Sequence, residues 1–503
     1  MSGTEMILAM DQGTTSSRAL VFSPKAEIIS LKQEEFTQHY PDDGWVEHDP
    51  REIWDSSLRT ARQAVEAAEA AQGHIVSLGI TNQRETVVIW DRRTGQPIHK
   101  ALVWQDRRTA EYCKNLKAEG FETDITARTG LLLDPYFSAS KIAWLLTHID
   151  GARSAAEAGH LAFGTIDTFL VWQLTGGRTH VTDETNASRT MLYNIHSGEW
   201  DPELLRVFNI PASILPEVKP SAADFGVTDA RLFGREIPIQ GIAGDQQAAA
   251  FGQGCDQAGM AKSTYGTGCF LLMHTGETAL TSQHRLLTTR ACRVSGPAQF
   301  ALEGSIFIAG AVAQWLRDEL RVIASSPETE AIAASLSDTG GVFFVPAFTG
   351  LGAPYWDAEA RGAVYGLTRQ SGRAELIRAA LESVAYQTHD LVHALQADGA
   401  NLTKLRIDGG MSQNNWLAQF IADICDTVLE RPANIETTAL GAAALAGLKA
   451  GIWPHLSEIT QSAETLTRFD PNMKADHRAA LLKDWDIAVK TTRYRETLRQ
   501  AGA

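Results

Sequence analysis

The sequence predicts an α/β protein built from two domains, and three observations carry that reading. The chain has 503 residues, beyond the size at which a single hydrophobic core keeps growing, so two domains of about 250 residues each are expected. Short apolar runs alternate with amphipathic helical stretches along the chain, which is the pattern of an α/β fold. A strand, Gly/Thr turn, strand unit near the N-terminus is echoed past mid-chain, which suggests two homologous halves meeting at a cleft. The boundary is set near residue 250, giving a first domain over 1–250 and a second over 251–503.

The opening elements follow from local chemistry. Residues 7–10 are an apolar strand running into the polar turn 11–17, and the runs 18–22 and 28–31 complete a β-meander. Asp49-Pro50 opens an amphipathic helix to about Ala71, because Pro at an early helical position gives up only an N–H that has no helical partner. Residues 75–80 form the next strand, and the apolar run 237–243 leads into a helix-like stretch at 246–251. The later copy of the opening reads as a strand at 260–264, a turn at Tyr265-Gly266-Thr267-Gly268 and a strand at 269–273. The Ala/Gly-rich stretch 439–453 carries Lys449 and reads as a buried helix, not a membrane span.

Composition narrows the partners. Hydrophobic content of 44% with 21% charged residues is that of an ordinary soluble protein. The net charge of −15 argues against nucleic acid or an anionic membrane as a general partner, since such partners want a basic face, and with 439–453 read as a buried helix no membrane insertion is expected. Anionic substrates stay open, because they need only a few local donors. Cys113, Cys255, Cys269, Cys292 and Cys425 are odd in number, scattered and never paired as C-x-x-C, which argues against a disulfide framework or a thiolate zinc site. The N-terminus has no basic region and its apolar stretch stops at Asp11, so no secretory signal is read and the chain is expected in the cytoplasm.

The motifs point to phosphoryl transfer. Such an enzyme needs backbone N–H groups and hydroxyls around phosphates, a carboxylate for a metal, and a base for the attacking alcohol. The usual P-loop is absent: Gly254-x4-Gly259 is followed by Met260-Ala261-Lys262-Ser263, with the lysine displaced. No G-x-G-x-x-G supports a dinucleotide site. The turn Asp11-x-Gly13-Thr14-Thr15-Ser16-x-Arg18 supplies equivalent parts. Gly13 lets backbone approach an oxyanion, Thr14 to Ser16 offer donors, Asp11 can hold Mg²⁺, and Arg18 can neutralise charge on the transferred group. The same residues also make an ordinary hairpin turn. Thr264-x-Gly266-Thr267-Gly268 is the matching clamp, and Asp408-Gly409-Gly410-Met411-Ser412-Gln413-Asn414-Asn415 a third candidate, each also compatible with a plain loop.

The acceptor side is read from single residues. Asp245, in Gly244-Asp245-Gln246-Gln247, sits at a strand-to-helix junction, where aspartate commonly caps a helix and is equally placed to take a proton from a hydroxyl. Arg84 beside Glu85, in Asn82-Gln83-Arg84-Glu85-Thr86, offers donor and acceptor together for a polyol. Adjacent side chains on a regular strand point to opposite faces, so the pair requires a bend there. Trp104 and Tyr136 can wall a carbon backbone or belong to the core.

Taken together these residues resemble the FGGY family of carbohydrate kinases. The stretch from Tyr136-Phe137-Ser138-Ala139-Ser140 through Lys141-Ile142-Ala143-Trp144-Leu145 is similar to its first signature. Gly362-Ala363-Val364-Tyr365-Gly366-Leu367, continuing through Glu375-Leu376-Ile377-Arg378-Ala379-Ala380-Leu381-Glu382, is similar to its second. The phrases around Asp11, Arg84 and Asp245 narrow the resemblance to members acting on glycerol, and it runs from about Met6 to Pro454. It implies two actin/hexokinase-like (ribonuclease H-like) domains around a catalytic cleft, closing on ATP and glycerol, with sn-glycerol 3-phosphate and ADP as products in glycerol uptake and catabolism. By the same resemblance Thr14, Thr15, Ser16 and Arg18 contact the phosphates, Asp11 serves Mg²⁺, and Thr267, Gly310, Gln314, Gly410 and Asn414 hold the nucleotide. Arg84, Glu85, Tyr136, Asp245 and Gln246 bond glycerol, Trp104 and Phe270 are apolar walls, and Asp245 is the base, with Arg18 assisting transfer. A homodimer or homotetramer is implied. Kinases of larger acceptors such as xylulose or gluconate are the near alternative, disfavoured by the Arg84-Glu85 pair and bulky Trp104. Actin-like filament or chaperone ATPases are the distant one, disfavoured by Asp245 and the two signatures.

One departure from the family is visible. Some bacterial members are inhibited by fructose 1,6-bisphosphate at a glycine-rich loop ending in arginine, just before the position of Ile237. Here Arg231-Leu232-Phe233-Gly234-Arg235-Glu236 has one glycine, and Glu236 stands where the arginine is expected. Insensitivity to that effector is the expectation.

Overall fold

The computed structural model describes residues 3–433, 436–462 and 466–501. Its two largest sheets are built on one plan. In the first, the strands run in the order Ile239–Gly244, Gly73–Asn82, Thr4–Gln12, Ser16–Phe22, Ile28–Glu35. Thr4–Gln12 pairs antiparallel with its hairpin partner Ser16–Phe22 and parallel with Gly73–Asn82. In the second sheet, of seven strands, Met260–Tyr265 pairs antiparallel with Cys269–Gly276 and parallel with Lys404–Asp408. The internal repeat read from the Gly/Thr turns is therefore a repeat of topology, and the two turns close equivalent hairpins.

Each opening element has a local cause. The helix Pro50–Ala70 starts where the Asp49 carboxylate accepts the Arg51 N–H at 2.8 Å, with Pro50 at its first position. Its buried face, including Ile53, Ala61, Ala64, Val65 and Ala68, covers one side of the first sheet together with Leu8, Met10, Val21 and Ile80. The opposite side, with Ile7, Ala9 and Leu20, is covered by the helix Thr437–Ala450. A helix from the second half of the chain thus packs on the first sheet. The division at residue 250 falls inside the helix Asp245–Gly252, which lies against Thr437–Ala450.

That contact is backbone on backbone. A Cβ added at Gly441 would stand 1.9 Å from the Ala248 carbonyl oxygen, and one at Gly79 would stand 2.1 Å from that of Ala442. The Ala/Gly composition of 437–450 is therefore a packing requirement. Gly441→Ala gains helix propensity of about 1 kcal/mol, but the clash involves main chain on both sides and cannot be relieved by a rotamer change. A net destabilisation of about 1–3 kcal/mol is expected, read as a fall in the calorimetric transition temperature.

All five cysteines are free, four of them buried, and no helix among the described residues is long and apolar enough to cross a membrane.

Candidate active site

The first turn is tied at its neck. Asp11 and Arg18 stand opposite each other in the hairpin ladder and their side chains form an ion pair. The Gly13 N–H donates to the Ser16 carbonyl at 2.9 Å, which closes the loop. Burial raises the Asp11 pKa, and the adjacent Arg18 works against that rise. Arg18 Nη1 also donates to Glu436 Oε2 at 2.6 Å. Asp11 Oδ1 takes no protein donor among the described residues. Thr15 is exposed at the tip, with Thr14 and Ser16 half-buried beside it.

Trp104 connects this turn to the acceptor wall. Its indole N–H donates to Thr14 Oγ1 at 3.0 Å, and its ring meets Tyr136 edge to face with centroids 5.7 Å apart. Both rings are half-buried, and Tyr136 also packs against the apolar cluster that contains Phe137 and Leu133.

The bend required at Arg84-Glu85 is present. Glu85 has φ 61°, in the left-handed region, and the Thr86 N–H donates to the Arg84 carbonyl at 2.7 Å. Such a conformation costs a non-glycine residue of order 1–3 kcal/mol and persists only where its surroundings enforce it. The bend brings Arg84 and Glu85 into one buried group, with Arg84 Nε 3.9 Å from Glu85 Oε1 and 3.1 Å from Asp245 Oδ1. Arg84 Nη1 donates to Gln247 Oε1 at 3.1 Å and to Glu303 Oε2 at 2.5 Å, while Nη2 donates to Glu303 Oε1 at 3.1 Å. A guanidinium has five N–H donors, so one Nη2 hydrogen is left for a ligand.

Asp245 is the first residue of the helix Asp245–Gly252, with Gly244 in the capping position. Its side chain does not cap the helix end in the usual way but keeps 32% of its surface open. Oδ1 accepts the Gln246 N–H at 2.7 Å and faces Arg84, leaving Oδ2 without a protein donor among the described residues. Its low-polarity surroundings raise the carboxyl pKa, and Arg84 and then Lys262 pull it back.

The second sheet supplies the facing wall. Lys262, Leu272 and Glu303 lie in one cross-strand row, and Thr264, Phe270 and Ser305 in the next on the same face. Phe270 is half-buried there. The buried Lys262 Nζ donates to Thr264 Oγ1 at 2.9 Å and to Gln246 Oε1. Because an ammonium only donates, this contact fixes the Gln246 amide with its NH₂ turned away from Lys262.

The nucleotide candidates converge on one cavity of 450 Å³, lined by Thr267, Gly310, Gln314, Gly410 and Asn414 among others. Its floor is the second turn, where Gly266 and Thr267 carbonyls accept N–H groups of Gly310 and Ala309 at 2.8 and 2.9 Å. Gly409 has φ 86°, and a Cβ there would stand 2.5 Å from the Tyr265 carbonyl oxygen. Asn414 caps the helix Asn415–Cys425 through the Leu417 N–H at 2.9 Å.

Four residues of this group carry no role in the sequence analysis: Gln247 and Lys262 appear there only within their phrases, and Arg189 and Glu303 not at all. Glu303 and Lys262 are single charges in otherwise apolar or small-residue strands, Phe300–Ile306 and Met260–Tyr265. That anomaly was the available signal.

Residues 6–252 match the model of the N-terminal domain of the FGGY family of carbohydrate kinases, and residues 261–450 that of its C-terminal domain. The chain is 61% identical over 487 residues to a glycerol kinase of Rhodospirillum centenum, covering 97% of this chain and 98% of that protein. It is 56% identical over 489 residues to a glycerol kinase of Sinorhizobium fredii, again covering 97% and 98%. Among solved structures it superposes on Plasmodium falciparum glycerol kinase with ADP at a TM-score of 0.94 and 38% identity, over 97% of this chain and 98% of the other. A gluconate kinase of Lactobacillus acidophilus, at a TM-score of 0.89 and 21% identity over 98% of both chains, shares the fold.

Proposed function

The chain belongs to the FGGY family of carbohydrate kinases, and from that premise we propose its reaction in full: transfer of the γ-phosphoryl group of ATP to a terminal hydroxyl of glycerol, giving sn-glycerol 3-phosphate and ADP. It is a phosphotransferase with glycerol as acceptor, as its curated relatives are named. The observation that carries the acceptor assignment is the set of unsatisfied atoms at the bend. One Arg84 Nη2 hydrogen, Glu85 Oε2 and Asp245 Oδ2 lack protein partners among the described residues, within one ion-paired group. A donor and an acceptor side by side suit two neighbouring hydroxyls, and the third atom takes the proton of the attacking one. Trp104, Tyr136 and Phe270, all half-buried, would bound the carbon side.

The residues divide the work. Thr14, Thr15 and Ser16 offer hydroxyls and backbone N–H groups to the phosphates, and Arg18 stabilises charge on the transferred group. Thr267, Gly310, Gln314, Gly410 and Asn414 hold the nucleotide in their cavity. Gln246, its amide oriented by Lys262, presents its NH₂ to an acceptor hydroxyl. Asp11 would hold Mg²⁺, which when bound neutralises phosphate charge. A single carboxylate with a free oxygen fits an ion that keeps most of its ligands as water and phosphate. Among the described residues no group of three or more His, Cys, Asp or Glu could hold a metal by protein atoms alone, in keeping with that sparse coordination. Asp245 Oδ2 receives the hydroxyl proton as the oxygen–phosphorus bond forms and the β–γ bridge breaks to ADP.

A coupled ADP-release assay over glycerol, dihydroxyacetone, xylulose and gluconate tests the reading. ADP release is expected to depend on added acceptor and to be fastest with glycerol. Preference for xylulose or gluconate, or ATP consumption independent of any acceptor, refutes it.

The same reading includes a cytoplasmic homodimer or homotetramer insensitive to fructose 1,6-bisphosphate. The segment Ala230–Phe233 is a helical turn capped by Asp229 and ended by Gly234 at φ 71°. Its arginines are engaged: Arg231 Nε donates to Asp229 at 3.0 Å, and Arg235 Nη1 to Glu69 at 2.7 Å. Glu236 adds a negative charge 3.9 Å from Arg178. Activity and sedimentation should be unchanged by millimolar effector. Saturable inhibition abolished by Arg235→Ala would place an effector site here.

A further inference from the structure

Behind the acceptor group lies a charge network that no motif contains. Arg189 Nε donates to Glu85 Oε1 at 2.6 Å, and its Nη2 donates to Glu303 Oε1 at 2.9 Å. Glu303 in turn grips Arg84 with both oxygens. All four side chains are buried to within 2%. Arg189 and Arg84 come from the first half of the chain and Glu303 from the second sheet, so the network also joins the two halves.

We propose that Arg189 and Glu303 are positioning residues of the acceptor pocket, Arg189 aiming the Glu85 carboxylate and Glu303 setting the Arg84 guanidinium. The proposal rests on the glycerol reading above and deepens it.

Three observations carry it. First, buried ion networks are weak stabilisers, because desolvation offsets their attraction and apolar replacements of like volume are often neutral. This network is not even fully satisfied: Arg189 Nη1 is buried without a hydrogen-bond partner among the described residues. Stability alone therefore gives little reason for the network, and what it holds gives a better one. Second, what it holds is the strained bend. Arg189 lies against the rings of Phe137 and Tyr136, 5.2 and 5.7 Å from their centroids, so its own position is fixed. It therefore sets Glu85 Oε1 and leaves Oε2 for the ligand. Third, the atom count of Arg84 is decided by Glu303: the bidentate grip uses one hydrogen on each terminal nitrogen and points the last Nη2 hydrogen away from Glu303.

Electrostatics agree with this geometry. Burial raises the Glu85 pKa, and Arg189 is the largest opposing influence, followed by Arg84. Lys141 also faces Glu85 as a cation, Glu303 faces it from the unfavourable side, and Tyr136 lies beside it as a neutral phenol whose pKa is raised by burial. Without Arg189 the carboxyl loses its main stabilising charge, its pKa rises further, and the protonated form replaces an acceptor by a donor. For a carboxyl with a raised pKa the charged form is lost as pH falls, so the defect deepens in acid.

The test measures glycerol and ADP affinity separately by titration calorimetry, from mildly acid to mildly alkaline buffer. Arg189→Met is expected to weaken glycerol binding about 10- to 100-fold, the value of a hydrogen bond to a charged group, more in acid than in alkali, with ADP affinity unchanged. Arg189→Lys keeps the charge and should recover much of the pH independence. Glu303→Gln removes a neighbouring negative charge, so it should weaken glycerol binding without the acid-side loss. If Arg189 acts through Glu85, adding Arg189→Met to Glu85→Gln should cost little more than Glu85→Gln alone. Parallel loss of ADP and glycerol affinity in Arg189→Lys and Glu303→Gln, or additive losses in the double variant, would assign both residues to the scaffold and overturn the proposal. Should Arg189→Met not fold, the Lys and Gln variants decide the matter. Absence of glycerol binding by the unsubstituted chain refutes the acceptor reading itself, and that result is seen before any substitution is made.

Discussion

Asp245→Asn lowers turnover at saturating glycerol by about 10²–10⁴-fold, the usual contribution of a general base, and leaves ADP affinity at the level of the unsubstituted chain. The substitution is close to isosteric. Asparagine retains an oxygen for the Gln246 N–H, which Asp245 Oδ1 now accepts at 2.7 Å, and for the nearby Arg84. What it loses is the second oxygen, the one without a protein donor, and an amide cannot take the hydroxyl proton in its place. The nucleotide cavity is lined by other residues, so its affinity reports whether the variant is folded. The pH dependence adds a second check. Burial raises the Asp245 pKa, with Arg84 and Lys262 opposing the rise. A base works only deprotonated, so activity should climb with pH through a value above the ordinary aspartate range, and this acid limb should vanish in the variant. A variant with near-normal turnover removes Asp245 from the chemistry.

How much of this was legible in the sequence depends on how local each cause is. The two Gly/Thr turns were legible, because glycine and threonine between apolar runs specify a hairpin loop within a few residues. The helix Pro50–Ala70 was legible from its Asp49-Pro50 start for the same reason. The bend at Glu85 was legible only as a condition: Arg84 and Glu85 cannot share one face of a straight strand, and the structure meets the condition with φ 61°. The ligand roles of Thr267, Gly310, Gln314, Gly410 and Asn414 came from resemblance, since each alone is an ordinary turn or helix residue. Arg189 and Glu303 stayed hidden because their partners are remote. Arg189 reaches Glu85 across 104 positions, and Arg84 reaches Glu303 across 219. Only the folding of the second sheet against the first brings Glu303 to the two arginines. Lys262 was read solely as a misplaced P-loop lysine, whereas the strand Met260–Tyr265 carries it inward to Gln246.

Arg84→Ala weakens glycerol binding by about 10²-fold or more, since it removes a charged donor and unsettles its acceptor partner together. The effect is not confined to binding. Glu303 loses one of the two arginines that overcome its burial and hold its pKa at about 2, so a buried carboxylate is left half-compensated. Breaking a buried pair in this way costs about 3–5 kcal/mol, and the unfolding transition should fall accordingly. Asp245 is affected as well: Arg84 is the first of the charges that oppose its raised pKa. With that charge gone the pKa rises further, the carboxylate is protonated at higher pH, and the acid limb of the turnover profile should move toward alkali. Arg84→Lys separates these contributions. It restores a positive charge near Asp245 but not the fork that Glu303 and Gln247 engage, so the acid limb should return toward its original position while glycerol binding stays weak. ADP affinity should be preserved in both variants wherever they are folded, because the nucleotide cavity contains neither Arg84 nor its partners. The measurements are glycerol and ADP titrations and a turnover–pH profile for each variant. An Arg84→Lys protein that binds glycerol normally, or an acid limb unmoved in Arg84→Ala, would show that the guanidinium neither orients the acceptor nor tunes the base.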